Sequence, residues 1–181
     1  MAPLDLLAQL KQEIAAANGL LLEAIAELTE EQVRARPGGT LPSIAFQVWH
    51  SARWADHDNA AYYGGDREIW FADGFAERWG LIGLEASDSE TGTGLADEQA
   101  ASLALPGKQE LLSYASAAFV AMESSVAKLA ATQLTVAAEP PESTGGTIQA
   151  LLFTHLSHVN RHLGMIEAIK GLQGLNGSAT R

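Results

Sequence analysis

Apolar residues recur at steps of three and four along four separate stretches of the chain. These stretches are Leu4–Leu28, Pro42 to about Tyr63, Lys108–Ala131 and Thr147–Gly171. A repeat close to 3.6 residues is the period of a helix that buries one face. No stretch shows a convincing strand pattern. The pattern therefore predicts four long helices.

One connection between these helices is much longer than the others. Asp66–Lys108 carries broken aromatic segments and then a polar run, and we predict short helices in it near Asp73–Trp79 and Asp97–Leu103. A connection of this length inside a compact domain is usually functional or mobile. Four long helices with one long crossover, between the second and the third, predict an all-α four-helix bundle. We expect one domain over residues 1–181.

Composition narrows the class of protein. The chain has 181 residues, 47% of them hydrophobic and 18% charged, which is typical of a globular domain. A formal net charge of −11 argues against binding to nucleic acid or to anionic membranes. There is no cysteine, so a disulfide, a thiolate ligand and a cysteine nucleophile are all excluded. With no signal peptide or membrane span visible, we expect a cytoplasmic protein.

Three of the five histidines lie in the middle of the fourth helix, at His155, His158 and His162. Residues three or four apart on a helix are surface neighbours, so His158 could share a metal ion with either of the other two. His155 and His162 lie about 10.5 Å apart along the helix axis, too far to bind one ion together. The spacing leaves both pairs open, and ordinary buried histidines remain the alternative.

The second helix carries the other two histidines, His50 and His57. Helix bundles build metal sites from side chains on facing helices. One histidine from this helix and two from the fourth would make a three-histidine site with an open position, the layout of a catalytic zinc site. His50 and His57 are about 10.5 Å apart along the axis, so only one of them should bind the same ion.

Two histidine blocks carry a resemblance to a known family. The blocks are SIAFQVWHSARWADH and, about a hundred residues later, HVNRHLGMIEAIKGLQGLNGSAT. They resemble the DinB-like superfamily, also described as YfiT-like metal-dependent hydrolases, and the resemblance extends over essentially the whole chain. Members are four-helix bundles that hold a divalent metal on three histidines. By position, the resemblance implies that the ligands are His50, His158 and His162.

The resemblance also implies several possible activities. Relatives include thiol S-transferases that use mycothiol, bacillithiol or glutathione, so we expect transfer of a low-molecular-weight thiol to a small electrophile. A hydrolase that activates a metal-bound water is the alternative, and a bundle that binds metal or a small ligand without turnover is a third. Imidazole ligands suit several metals, of which Zn or Ni are expected. The family habit is a homodimer.

Further residues near the predicted ligands are candidates for substrate binding or for supporting a ligand. His155 and His57 are then nearby polar groups or surface residues. Arg53 or Arg161 could bind a carboxylate of a thiol cosubstrate. The acids that could pair with these arginines instead are Asp56, Asp58 and Glu167.

Aromatic residues around the second helix and the crossover could line a substrate pocket above the metal, and we expect the crossover, with Trp70 or Trp79, to form part of its wall. The aromatics concerned are Trp49, Trp54, Tyr62, Tyr63, Trp70, Phe71 and Trp79. Packing in the core is the alternative for at least half of the aromatics. Glu123 on the third long helix, or one of the three acids above, could orient a ligand imidazole.

Overall fold

The computed structural model describes residues 5–39, 41–83, 90–138 and 146–177. Within these ranges the chain is helical, and its β-type pairing is limited to an isolated antiparallel bridge between Ala137 and Thr147. The α-helices are α1 (Leu6–Ala26), α2 (Glu30–Arg34), α3 (Ile44–Tyr62), α4 (Ile69–Ala72), α5 (Phe75–Trp79), α6 (Asp97–Ser102), α7 (Lys108–Lys128) and α8 (Ile148–Leu172). The predicted all-α class is confirmed.

The long helices begin where a side chain can accept a hydrogen bond from an otherwise unpaired backbone N–H. The Thr147 hydroxyl accepts from the backbone N–H of Ala150 at 3.3 Å at the start of α8. Ser43 does the same for α3, accepting from Phe46 at 3.3 Å, so that helix begins after Ser43 and not at Pro42. Capping by these hydroxyls fixes where each helix enters the core.

Several predicted boundaries change in detail. α7 ends at Lys128, three residues before the predicted end, and a short 3-10 turn follows at Ala131–Gln133. The two short helices expected in the crossover are present as α5 and α6, whereas α4 was not predicted. The predicted start of the first helix at Leu4, part of the crossover at 84–89 and the chain end at 178–181 lie outside the described residues.

α1 and α8 lie side by side and point in the same direction. Asn18 of α1 is hydrogen-bonded to His155 of α8. Beyond the ends of both helices, the Gln173 side chain donates to the backbone carbonyl of Gln32 at 3.0 Å. Because these two contacts occur in the same order along both helices, α1 and α8 are parallel.

The long crossover follows from the directions of the other helices. α7 is antiparallel to α1, because Lys11 near the start of α1 donates to Ala127 near the end of α7, while Lys108 at the start of α7 donates to Ala26 at the end of α1. α3 is antiparallel to α8 and packs closely on α7. α3 and α7 are therefore parallel, and the chain between them must return along the length of both helices.

α3 is enclosed on nearly all sides. Residues Ile44–Arg53 and Ala55–Asn59 are all buried, between α7, α8, α2 and α4. Polar side chains on this helix are consequently removed from water and need partners inside the protein. This burial explains why α3 supplies both a histidine and a buried ionic cluster to the centre of the molecule.

Candidate metal centre

The structure brings one histidine from α3 and two from α8 to a single point. The Nε2 atom of His158 lies 3.1 Å from Nε2 of His50 and 2.9 Å from Nε2 of His162. One ligand atom from each of the three residues falls within 4.8 Å of the other two. The described residues therefore contain a three-histidine group that could hold a metal ion, with the members that the family resemblance implied.

In two of these rings, the Nδ1 atom lies within hydrogen-bond distance of an acceptor oxygen. Nδ1 of His50 lies 2.7 Å from the backbone carbonyl of Thr91, and Nδ1 of His162 lies 2.5 Å from Oε1 of Gln47. Neither oxygen can donate, so Nδ1 carries the proton in both rings. Nε2 of His50 and Nε2 of His162 are then unprotonated and available as ligand atoms. Supporting hydrogen bonds of this kind are typical of metal-bound histidines.

The protonation state of the cluster also suits a metal ion. Burial lowers the pKa of His158 to about 2 and that of His162 to about 3, and burial also lowers the pKa of His50. All three rings are therefore neutral at pH 7, which is the form that coordinates a metal. Three neutral imidazoles whose Nε2 atoms lie this close together could coordinate one divalent ion. The residues fit the ion.

A cavity of about 490 Å³ opens onto the cluster. It is bounded by α3 and α8, together with Thr93 from the crossover. The lining residues are His50, Trp54, Asp58, Tyr62, Thr93, Leu151, Thr154, His155, His158, Arg161 and His162. The Trp54 indole donates to the Thr93 hydroxyl at 3.0 Å, which fixes the ring at the cavity wall. A small molecule in this cavity would face all three histidines.

The predicted crossover tryptophans are not among the lining residues. Trp70 and Trp79 pack on Tyr114 of α7, with ring centroids 5.4 and 5.6 Å apart, and both are buried. The expectation that they form the pocket wall is corrected in favour of Trp54. The two indole rings pack within an aromatic cluster on α7, away from the faces of α3 and α8 that bound the cavity.

The crossover does reach the three-histidine group, through its backbone. Gly92 has a φ of 84°, and a Cβ atom there would lie 2.6 Å from the Trp49 ring. Glycine thus permits this segment to lie against α3, which places the Thr91 carbonyl on the His50 ring. Arg53 holds the same segment, since its Nε donates to the carbonyl of Glu90 at 3.3 Å.

Arg53 belongs to a buried ionic cluster and not to the cavity wall. Its side chain is fully buried and forms ion pairs with Asp56 at 3.2 Å and Glu68 at 2.7 Å. A substrate carboxylate could not reach it there, so the structure favours the ion-pair alternative over the substrate-binding one. His57 joins the same cluster through Glu68, 3.2 Å away, and does not line the cavity.

His155 lines the cavity but is separate from the three-histidine group. Its Nε2 lies 3.1 Å from Oδ1 of Asn18, and the Asn18 amide donates to Glu123 at 2.8 Å. Glu123 thus supports His155 through Asn18, and it does not orient one of the three clustered rings directly. Burial lowers the pKa of His155 to about 4, so this ring is also neutral at pH 7.

Sequence reasoning missed two features that support the cluster. Gln47 precedes His50 by three residues and therefore shares its helix face, a signal that the sequence contains. Thr91 acts through its backbone carbonyl, which any residue could supply, so its side chain gives no signal. The cavity residues Asp58, Thr93 and Thr154 were likewise not predicted as lining residues, whereas Tyr62 was among the aromatics that could line a pocket.

Comparison with known proteins identifies the family and the fold. The sequence profile of the DinB superfamily matches residues 13–166. The chain therefore belongs to the DinB superfamily. A crystal structure described as the conserved protein of a locus from Enterococcus faecalis is similar in fold, with a TM-score of 0.78, 20% sequence identity, and coverage of 93% of this chain and 97% of that chain. No curated protein matches the sequence.

None of the described helices is both long enough and apolar enough to cross a membrane.

Proposed function

We propose that this protein is a divalent-metal-dependent enzyme that transfers a low-molecular-weight thiol to a small electrophile. One observation carries the proposal: the Nε2 atoms of His50, His158 and His162 converge at an open cavity of about 490 Å³. Three neutral imidazoles on one ion leave a coordination position for a small molecule. Zn and Ni both suit such ligands.

The metal ion would lower the pKa of a coordinated thiol and favour the thiolate near pH 7. His50 and His162, each held by a hydrogen bond on Nδ1, keep their Nε2 lone pairs directed at the ion. Trp54 and Leu151 supply apolar surface for the rest of the substrate. In the transfer, sulfur forms a bond to carbon, the leaving group departs with the electron pair, and the thiol proton passes to solvent.

The experiment starts from elemental analysis of the protein as purified. The metal-loaded protein is then assayed with a panel of thiols and monochlorobimane, whose chloride is displaced by sulfur. We expect a rate that requires both thiol and metal, and that disappears in His158→Ala. A fully metal-loaded protein that accelerates the reaction of none of the thiols would refute thiol transfer.

A further inference from the structure

One arginine lies beside the three-histidine group. Arg161 precedes His162 on α8 and lines the cavity. Among the described residues, none forms a hydrogen bond or ion pair with its guanidinium; Glu167, one of the acids predicted to pair with it, instead contacts Lys170 at 3.1 Å. Helical side chains tilt toward the N-terminus, so Arg161 extends over the turn that carries His158.

Arg161 leaves the cavity without a net negative charge. Asp58 is the one acid among the described residues that line the cavity, and Arg161 offsets it. A divalent ion on the histidines would then make the cavity strongly cationic, although the protein has a formal net charge of −11. Arg161 is close enough to lower the pKa of all three clustered histidines. Two adjacent cationic groups favour an anionic ligand between them.

We propose that Arg161 binds a carboxylate of the substrate whose other end faces the three histidines. The planar guanidinium can hold a carboxylate by two parallel hydrogen bonds, and Trp54 on the opposite helix would cover the ligand between the two ends. This inference rests on the proposed function and adds to it a substrate class: small thiols that carry a carboxylate. Arg161 would therefore determine specificity, while the histidines hold the metal.

The test compares two ligands that differ only in charge. N-acetylcysteine and its neutral amide are titrated into zinc-loaded protein by calorimetry. We expect the wild type to bind the carboxylate roughly tenfold more tightly, since a hydrogen bond to a charged group contributes at least that factor. Arg161→Gln should lose the preference and bind the amide as the wild type does, and Arg161→Lys should retain part of it.

The controls separate this role from others. Arg67→Gln removes an exposed arginine that is paired with Asp73 outside the cavity, and it should keep the full preference. Elemental analysis should show that Arg161→Gln retains its zinc. A preference for the carboxylate that persists in Arg161→Gln, or loss of zinc in that variant, would overturn the proposal.

A second pair of ligands distinguishes failure of this inference from failure of the proposed function. Butyrate and butyramide carry the same charge difference without a thiol. If no thiol binds but butyrate binds the wild type and not Arg161→Gln, the carboxylate site is supported and the proposed thiol transfer is refuted. If thiols bind and the binding of neither carboxylate depends on Arg161, the thiol site is supported and the proposed role of Arg161 is refuted.

Discussion

His155 should make the stability of this protein depend on pH between about 6.5 and 4. Burial lowers its pKa from 6.5 to about 4 in the folded chain. The unfolded chain therefore binds a proton in this range that the folded chain excludes. The contribution to stability is fully present above the unfolded pKa and is lost as the pH falls toward the folded pKa.

The magnitude follows from the two pKa values. Each unit of pKa difference corresponds to about 1.4 kcal/mol, so the complete loss is about 3 kcal/mol. Between pH 7.5 and pH 5, linkage gives about 2 kcal/mol of that total. His155→Gln removes the titration, and its side-chain amide can still donate to Oδ1 of Asn18. The wild type should therefore lose about 2 kcal/mol of unfolding free energy relative to His155→Gln when the pH is lowered from 7.5 to 5.

Urea unfolding of metal-free protein at the two pH values, followed by circular dichroism, measures this shift. Val159→Ala is the control, because Val159 is a fully buried apolar residue on the same helix. It should lower the unfolding free energy by a similar amount at both pH values. If the difference between His155→Gln and the wild type is the same at pH 7.5 and pH 5, His155 does not titrate as the structure requires.

Three other predictions concern the cluster and the ionic network behind it. Alanine at any of the three clustered histidines should remove most of the bound metal by elemental analysis, whereas His57→Ala should keep it; an unchanged content in all three would remove the site. Gln47→Leu takes away the acceptor for Nδ1 of His162 and should weaken metal affinity roughly 10–100-fold in a competition with a chelator, while Gln47→Glu should not. Arg53→Met leaves Asp56 buried without its cation and should cost about 3–5 kcal/mol in urea unfolding, a prediction that a loss below 1 kcal/mol would contradict.

The fold takes the three clustered histidines and their supporting groups from different parts of the chain. The histidines come from α3 and α8, while their hydrogen-bond partners come from α3 itself and from the crossover. Arg53 links these parts, since it pairs with Glu68 before α4 and holds the carbonyl of Glu90. A perturbation of the crossover should therefore reach His50 without altering any ligand.

The sequence alone determined the helices and the histidines that can act together. Periodicity located the four long helices, since one buried face imposes a repeat near 3.6 residues whatever the partner. Helical spacing showed that His155 and His162 could not share an ion, but it left two pairs open around His158. The family resemblance, and not the spacing, indicated the pair with His162.

Only the tertiary structure decided which groups surround those histidines. The sequence offered Arg53 and Arg161 equally as carboxylate binders, and burial against Glu68 and Asp56 removed the first of them. It could not locate the Thr91 carbonyl, because a backbone acceptor near His50 depends on how the crossover folds back over α3. The physical reason is the same in each case: periodicity depends on neighbours along one helix, whereas burial and hydrogen-bond partners depend on contacts between segments that are distant in the chain.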